Sequence, residues 1–283
     1  MTSSMATTRG EAQTSRRTEL ITPEPAEALA GLLDISPPAG DGELPALWHW
    51  IYLLERRRQS DLGPDGHPTH GIPAPPGPGM LRMFAGGRVS MHVPLRFGEP
   101  ATRTTRVIRT VEKKGRSGPL TFVTVRSDIE QGGRPAISDE QDIVYRPSGP
   151  APAARPGTTG IPAPPVTGGG GLTLDVDPVV LFRFSALTYN AHRIHYDHEY
   201  ALREGYPDLV VHGPLQALLM GEWIRRSGTP MVGQEFAYRL VAPMFGSQRL
   251  TVTSTPEETG VSARVMDGAG RVTATGTLRA CGA

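Results

Sequence analysis

The sequence predicts an α+β protein built from two halves of comparable size. Residues 213–226 are apolar on most sides, which predicts a long buried helix. Strand-like patterns follow this helix and also fill the first half of the chain. Between the halves, more than half of residues 147–171 are Pro or Gly, which is typical of a linker that cannot bury a core.

These features divide the chain into four segments. The first residues are rich in Ser, Thr and Arg and contain no apolar run, so residues 1–39 are predicted to be a disordered tail. Residues 40–146 are predicted to form an N-terminal domain. The Pro/Gly linker at 147–171 follows, and residues 172–283 are predicted to form the C-terminal domain.

The elements of the C-terminal half can be predicted in order. Residues 179–184 are apolar and predict a strand that leads into a polar turn, and residues 197–204 are compatible with a short helix. Gly228 is expected to end the buried helix. Alternating or apolar patterns predict strands at 172–176, 235–241, 248–254, 260–266 and 272–278, with a hairpin signal at Asp267 and Gly268.

The N-terminal half predicts a similar set of strands without a matching helix. Residues 64–79 are rich in Pro and Gly, and such a segment cannot propagate a helix. We therefore expect this half to have lost the full central helix, which would leave open space. Strands are predicted at 89–95, 101–113, 120–131 and 136–145.

Composition excludes several classes of function. The formal net charge is +1, so electrostatics favour neither nucleic acid nor a membrane surface as the main partner. No apolar run approaches the roughly 20 residues that span a bilayer, and no secretion signal is recognisable. Cys281 is the single cysteine, which excludes an intrachain disulfide and fits a cytoplasmic location.

The residues that indicate chemistry lie at 184–215. A turn dense in Asn190, His192 and His195 precedes the sequence His212-Gly213-Pro214, which opens the buried helix. The turn supplies a candidate proton-transfer base. The helix N-terminus supplies free backbone N–H groups that favour developing negative charge. Together they predict acid–base chemistry beside a carbonyl group.

This segment resembles the hydratase motif of the MaoC-like (R)-specific enoyl-CoA hydratases, which have the hot-dog fold. It is more similar still to their two-hot-dog relatives, the mesaconyl-C4-CoA (3-methylfumaryl-CoA) hydratase-like acyl dehydratases. The resemblance covers nearly everything from about residue 40 to the C-terminus, and it implies a double hot-dog fold with two antiparallel sheets. In the first half it rests on residues 47–50, 63–68, 85–88, 113–118 and 141–146.

The resemblance also implies roles for individual residues. The family pattern has an Asp, an Asn and a His in succession, and its last position falls on His195. The Asp position then falls on Asn190 and the Asn position on His192, so this chain lacks the usual carboxylate. The glycine that polarises the thioester would be Gly213.

Each role has a structural alternative. His195 is predicted to carry both proton transfers, but a histidine here could also simply cap a turn. Asn190 is expected to bind the water or the departing hydroxyl, because an amide can only form hydrogen bonds; it could equally be a turn former. Gly213 would let a thioester oxygen approach the helix end, or it could be an ordinary helix start.

Further residues are candidates for binding the substrate. Coenzyme A carries phosphates, so the basic turn near 113–116 is a candidate patch, although an exposed hairpin turn explains it as well. The spacing of His192, His195 and His198 does not match a zinc helix, and no metal or cofactor is predicted. The substrate-binding candidates are His192, Arg193, His212, Tyr189, Lys113, Lys114 and Arg116.

The sequence therefore predicts a hydro-lyase that adds water to, or removes it from, an acyl-CoA or acyl-carrier-protein thioester. The space left by the missing helix would admit a longer or branched acyl group. Three alternatives remain open: a carrier-protein-linked dehydratase of fatty-acid or polyketide assembly, a non-catalytic acyl-thioester-binding subunit, and a thioesterase. Whether the chain forms a homodimer is also open.

Overall fold

Ten strands and four α-helices make up the regular structure of the described residues. The structure is a computed structural model, and it describes residues 13–38, 42–74, 80–115, 118–147 and 170–281. In chain order, the elements are β1 (Thr14–Leu20), α1 (Pro23–Leu32), β2 (Met80–Met91), β3 (Pro100–Gly115), β4 (Gly118–Gln131), β5 (Arg134–Pro147), β6 (Leu172–Val176), α2 (Pro178–Thr188), α3 (His198–Arg203), α4 (Gly213–Arg226), β7 (Gln234–Leu240), β8 (Gln248–Glu257), β9 (Gly260–Met266) and β10 (Val272–Ala280).

The ten strands form one antiparallel sheet with the order β1-β3-β4-β5-β2-β7-β10-β9-β8-β6. Its second half repeats the first in reverse, so the two halves of the chain have equivalent strand connections. The halves join where β2 pairs with β7, from Gly86 opposite Arg239 to Met91 opposite Gln234. This arrangement confirms the double hot-dog fold expected from the sequence. The two expected antiparallel sheets are one continuous sheet, because the pairing of β2 with β7 joins them.

Helix α4 is the buried helix of the C-terminal half, as predicted. Leu215, Leu218 and Met220 are fully buried against the inner face of β7–β10. Burying side chains of this size stabilises the fold by about 1.5–3 kcal/mol each. The helix ends at Arg226, and Gly228 follows with a φ of +79°, a conformation that favours glycine.

The N-terminal half has no counterpart of α4 in its described part. Residues 42–74 contain only short 3-10 turns, at Trp48–Ile51 and Gln59–Asp61. Trp48 and Leu53 are nevertheless fully buried and pack in the same core as α4. The predicted loss of the helix is confirmed for residues 64–74, whereas residues 75–79 lie outside the described ranges.

The expectation of a disordered tail at 1–39 is wrong for residues 13–38. Strand β1 pairs with β3 in an antiparallel register along its whole length. Every second side chain of β1 is exposed, which explains its polar sequence. Helix α1 has a Pro in its first turn and buries Ala26, Leu29 and Ala30, which lie on one helical face. Residues 1–12 lie outside the described ranges.

A second correction concerns residues 179–184, which belong to helix α2 and not to a strand. Asp177 caps this helix by accepting a hydrogen bond from the backbone N–H of Val180 at 2.8 Å, and Pro178 occupies its first turn. The periodicity of a short apolar run cannot distinguish a strand from a helix. Here the capping residue Asp177 and the following Pro178 are the signals that indicate a helix.

The remaining boundaries agree with the sequence to within a few residues, with one exception. The first long strand of the N-terminal half, β2, starts nine residues before the predicted 89–95 segment and ends at Met91. Strand β5 ends at Pro147 and β6 begins at Leu172, and most of the predicted linker between them lies outside the described residues. None of the helices in the described ranges is long and apolar enough to cross a membrane.

Candidate active site

A cavity of about 880 Å³ lies between the two halves and collects most of the polar residues discussed below. It is open at one side, and residues from both halves of the chain form its walls. The C-terminal half contributes Asn190, His192, His195, Gly213, Pro214, Gln216 and Leu240. The N-terminal half contributes His49, Trp50, His67, Arg82, Phe84, Arg103, Asp139 and Gln141.

His195 is held as a neutral base at the cavity wall. Its Nδ1 lies 2.7 Å from the carbonyl oxygen of Val210, and since a carbonyl only accepts, Nδ1 carries the proton. The lone pair is therefore on Nε2. Burial lowers the pKa of His195 to about 4, against the opposing effect of the Val210 hydrogen bond. At neutral pH the ring can accept a proton.

His212 supports His195 from behind. The two rings stack with centroids 3.7 Å apart, and His212 Nε2 lies 2.9 Å from the hydroxyl of Ser185. Phe184 packs against the same ring in a T-shaped contact, with the centroids 5.0 Å apart. His212 does not reach the cavity wall, so the structure does not support its predicted role in substrate binding. It packs behind the His195 ring instead.

Gly213 begins helix α4 at the cavity wall. No side chain caps this helix end, and Pro214 has no N–H, so the N–H groups of the first turn are free to face a ligand. A Cβ at Gly213 would overlap the δ-methyl of Leu240 and would lie 3.2 Å from the ring of Phe84. Both side chains line the cavity, so glycine keeps this approach open.

Asn190 forms a turn and also lines the cavity. Its Oδ1 accepts a hydrogen bond from the backbone N–H of His192 at 3.0 Å, which is a turn-forming contact. Its amide nitrogen has no hydrogen-bond partner among the residues that the structure describes, and the side chain lines the cavity. His192 lines the same wall, and burial lowers its pKa far below the usual value, so it stays neutral.

Sequence reasoning missed His67, which the N-terminal half contributes. Its ring packs on His192 with centroids 4.0 Å apart, and Asp65 Oδ2 lies 2.9 Å from its Nδ1. Asp65, His67 and His192 bring one polar atom each within 4.8 Å of one another. The sequence contained one signal, an Asp two residues before a His inside the Gly/Pro-rich string 63–68.

The loop that carries His67 is docked directly on the turn that carries His195. The backbone N–H of Arg193 donates to the carbonyl of Asp65 at 2.9 Å, and the Arg193 side chain donates to the carbonyl of Pro64 at 3.0 Å. Gly66 has a φ of +88°, and a Cβ there would overlap the carbonyl oxygen of Ala191. Only glycine allows this close approach between the halves.

Several predicted binding residues have other places in the structure. Arg193 does not line the cavity but forms an ion pair with Asp197, with 2.6 Å between Nη2 and Oδ2, and so clamps the docked loop. Tyr189 is exposed and ends helix α2 in the left-handed conformation. Lys113 is exposed near the tip of the β3–β4 hairpin, against Phe122 and away from the cavity wall. The Lys114 side chain and Arg116 lie outside the described residues.

The far part of the cavity contains a second polar group that the sequence did not reveal. Asp139 Oδ2 accepts hydrogen bonds from Trp50 Nε1 at 2.8 Å and Gln141 Nε2 at 3.1 Å, and it lies 3.3 Å from His49 Nε2. Burial lowers the pKa of the Arg82 guanidinium, and the neighbouring Tyr145 and Asp65 oppose this effect. An arginine stays charged in proteins. Among the described residues, no carboxylate forms an ion pair with Arg82, so no salt bridge neutralises its charge at the cavity wall.

Comparisons with known proteins agree with this geometry. Residues 47–246 match the family described as hydroxyacyl-thioester dehydratase type 2, a segment that includes all the cavity residues named above. The mesaconyl-C(4)-CoA hydratase of Chloroflexus aurantiacus is 47% identical over 259 residues, covering 88% of this chain and 90% of that protein.

Solved structures support the fold at much lower identity. HtdX of Mycobacterium tuberculosis matches with a TM-score of 0.68 at 15% identity, covering 95% of this chain and 100% of that chain. A second protein of that organism, described as having a double hot-dog fold, matches with a TM-score of 0.53 at 13% identity over 95% of both chains. The family match and the 47% identical hydratase carry the assignment: this chain belongs to the hydroxyacyl-thioester dehydratase type 2 family and is an acyl-thioester hydratase or dehydratase.

Proposed function

We propose that the C-terminal half carries the central chemistry of a reversible hydration of an α,β-unsaturated acyl thioester. One observation supports this most strongly: a neutral His195, with its lone pair on Nε2, and the uncapped N-terminus of α4 line the same cavity. The first is a base, and the second stabilises an oxyanion. Neither the loss nor the addition of water beside a thioester needs more than these groups and a site for the oxygen.

In the dehydration direction, the thioester oxygen accepts a hydrogen bond from the Gly213 N–H, which makes the C2 proton more acidic. His195 Nε2 removes that proton, and the enolate-like charge is stabilised by the helix end. The free amide of Asn190 donates a hydrogen bond to the oxygen on C3. The C3–O bond breaks, and this oxygen takes the proton from His195 Nε2 and leaves as water, which restores the neutral base. Hydration follows the same path in reverse.

We further propose that the acyl group is branched and carries a free carboxylate. The relative from Chloroflexus is named for a mesaconyl thioester, and mesaconate is a branched dicarboxylic acid, so one carboxylate stays free. Arg82, which lines the cavity without an ion-pair partner among the described residues, supplies the charge to bind it. Coenzyme A is the proposed carrier of this acyl group.

The test uses mesaconyl-C4-CoA, crotonyl-CoA and the crotonyl thioester of an acyl carrier protein. We expect wild-type enzyme to hydrate the mesaconyl thioester with the highest kcat/KM. Arg82→Gln should remove this preference while crotonyl-CoA hydration persists. A higher kcat/KM for the carrier-protein thioester would instead assign the chain to carrier-linked assembly.

The role of His195 has its own control. His195→Gln should lower kcat by about a hundredfold or more, the usual effect of losing a general base. His198→Gln, three residues away on an exposed ring paired with Asp208, should leave kcat unchanged. If both variants keep near wild-type turnover, His195 is not the base.

The role of Asn190 is tested by two substitutions. Asn190→Ala should be strongly impaired, because it removes the group that holds the oxygen. Asn190→Asp should stay active, because a carboxyl group can hold the same oxygen when it is protonated or through a water molecule.

We also propose a cytoplasmic location, since the single Cys281 is free and requires no oxidising compartment. Fractionation of the native host should place the protein there. Size-exclusion chromatography at micromolar concentration will show whether two chains associate as a homodimer. A chain that elutes at the monomer mass would exclude that assembly.

A further inference from the structure

We propose that His67, held by Asp65, is a second catalytic acid–base residue of this active site, supplied by the N-terminal half. In dehydration it protonates the departing oxygen on C3, while His195 removes the proton from C2. This inference rests on the proposed function and changes one part of it, since the sequence assigns both proton transfers to His195. It also explains how the site works with an amide where the family pattern has a carboxylate.

The first argument is how Asp65 holds the imidazole. Asp65 Oδ2 accepts from His67 Nδ1 at 2.9 Å, and Asp65 Oδ1 accepts from the His67 backbone N–H at 3.0 Å. Both carboxylate oxygens thus fix the same residue. Because Nδ1 donates to Asp65, Nε2 is the nitrogen that can exchange a proton with a ligand. A carboxylate behind an imidazole is the arrangement that orients a catalytic histidine and stabilises its protonated form.

The second argument is that the three cavity-lining rings are neighbours. The His192 centroid lies 5.5 Å from that of His195 and 4.0 Å from that of His67, so His192 connects the other two rings. His195, His67 and Gly213 all line the same cavity. In the proposed pose, a thioester bound through its carbonyl at Gly213 presents C2 to His195 and the oxygen on C3 to His67.

The third argument concerns charge around His67. The charged and titratable groups that act on it are Asp65, Arg82, Glu204, His192 and His195. Burial lowers the pKa of His67, whereas Asp65 and the more distant Glu204 favour its protonated form and Arg82 opposes it. Although burial alone would raise the pKa of Asp65, its hydrogen bonds from His67 lower it, so the carboxylate is ionised. The negative charge of Asp65 thus compensates the positive charge of a protonated His67. His192 and His195 lack such a carboxylate partner.

The fourth argument is that the other nearby groups cannot give a proton to the oxygen. The amide of Asn190 donates hydrogen bonds but does not ionise. His192 stays neutral because burial and the neighbouring His67 and His195 lower its pKa far below the usual value. Among the described residues of this wall, His67 is the group with both an ionised partner and a free ring nitrogen.

The step balances without any further reactant. The C2–H bond breaks and its proton bonds to His195 Nε2, while its electron pair forms the C2–C3 double bond. The C3–O bond breaks, and the oxygen takes the proton from His67 Nε2 and leaves as water. One proton then returns from His195 to His67 through solvent, which restores the starting state. Hydration is the reverse, with His67 as base and protonated His195 as acid.

The first test compares His67→Gln and Asp65→Asn with His70→Gln as the matched control. His70 lies in the same loop, is exposed and is absent from the cavity wall. We expect His67→Gln to lower kcat for dehydration of a 3-hydroxyacyl-CoA by about a hundredfold, the usual scale for a lost general acid. Asp65→Asn should have a smaller effect in the same direction, and His70→Gln should have none. Wild-type activity in His67→Gln would overturn the proposal.

The second test separates catalysis from structural support. A 3-chloroacyl-CoA loses chloride, which needs no proton, so His67→Gln should eliminate it at close to the wild-type rate. His195→Gln should be impaired with both substrates. If His67→Gln is impaired equally with the chloro and hydroxy substrates, His67 only supports the fold or the His195 ring, and the proposal fails. If His67→Gln does not fold, the same comparison of the chloro and hydroxy substrates is made with Asp65→Asn.

These outcomes also separate this inference from the function proposed above. If His195→Gln equals wild type with both substrates, the assigned base and the proposed function fail. If only the His67 variants equal wild type, the function stands and this inference alone fails. The pH dependence of kcat/KM adds a readout, since wild type should show one more ionisation than His67→Gln.

Discussion

The two halves of the sheet have the same strand order, yet they differ in the space above it. In the C-terminal half, helix α4 packs on the sheet, and its N-terminus lies at the cavity wall. In the N-terminal half, the described residues 42–74 cross the equivalent region as turns and short 3-10 segments. One half thus offers a helix end, and the other offers a loop long enough to reach its neighbour.

This difference explains why one cavity contains residues from both halves. Without a helix on the N-terminal side, the loop at 63–68 can dock on the turn at 190–195 and bring His67 against His192. The same missing helix leaves room for the polar group around Asp139 and for Arg82. In the proposed function, the C-terminal half therefore binds the substrate carbonyl group, and the N-terminal half forms the wall beside the rest of the acyl chain.

The largest expected effect is a loss of folding stability in acid. It arises because the histidines at the cavity between the halves have pKa values that burial lowers. The pKa of His195 falls from its usual 6.5 to about 4 on folding, so the native form binds fewer protons than the unfolded chain between these values. The free energy of unfolding is therefore unaffected by His195 protonation above pH 6.5, and it decreases as the pH falls from 6.5 towards 4. The loss is on the order of 3 kcal/mol.

Urea unfolding between pH 7 and pH 4.5 measures this effect. The half-buried His67 and His192 and the buried His212 also have lowered pKa values, and they add to this effect in the same direction. The free energy of unfolding should fall less steeply in His195→Gln than in wild type, whereas exposed His198→Gln should follow wild type. Equal slopes in all three proteins would contradict the account.

Gly66→Ala tests the docking between the halves. The new Cβ would overlap the carbonyl oxygen of Ala191, which is backbone and cannot turn aside, so the loop must move. A misplacement of about 1 Å at a catalytic group costs roughly a hundredfold in rate, and we expect kcat to fall by about that much.

The matched control is Gly132→Ala, at a residue whose φ is +58° and whose Cβ would meet open space. It carries a similar backbone strain, about 1–2 kcal/mol, without touching the site. Its melting temperature should fall while kcat stays near wild type. Equal kcat in the two variants would show that the docked loop is not needed.

Two glycines of helix α4 sharpen the assignment of its N-terminus. A Cβ at Gly213 would overlap a methyl group of Leu240 at the cavity wall, and a Cβ at Gly221 would overlap a methyl group of the fully buried Leu47. We expect Gly213→Ala to lower kcat/KM roughly tenfold by obstructing the carbonyl site. Gly221→Ala should instead lower stability by about 1–3 kcal/mol and leave kcat within a factor of two. The reverse pattern in enzyme assays and thermal denaturation would refute the role of Gly213.

The smallest effect is expected from cutting the chain between the halves. A protease site inserted within 156–165 should be cleavable with little loss of activity. The halves should stay together because β2 pairs with β7 over six residues and α1 packs on α2. Two separate species in size-exclusion chromatography after cleavage would contradict a shared sheet and cavity.

The sequence predicted the features that short stretches of chain determine. The period of residues 213–226 indicated helix α4, and the turn before it revealed His195 and Asn190. It did not reveal helix α2, because a short apolar run fits a strand equally well, nor strand β1, whose polar pattern reflects one exposed face. His67 was missed for another reason: its meeting with His192 depends on contacts between distant parts of the chain.

The central claim is that one substrate lies across both halves with its thioester at the end of α4. A crystal structure with a 2,2-difluoro-3-hydroxyacyl-CoA tests it most directly, because this analogue has no proton on C2 and therefore cannot lose water. We predict one ligand per chain, with its carbonyl oxygen about 3 Å from the Gly213 nitrogen. Its C2 should lie beside His195 Nε2, and its C3 oxygen should face His67. A carbonyl oxygen bound instead beside Asp139 and His49 would contradict the account.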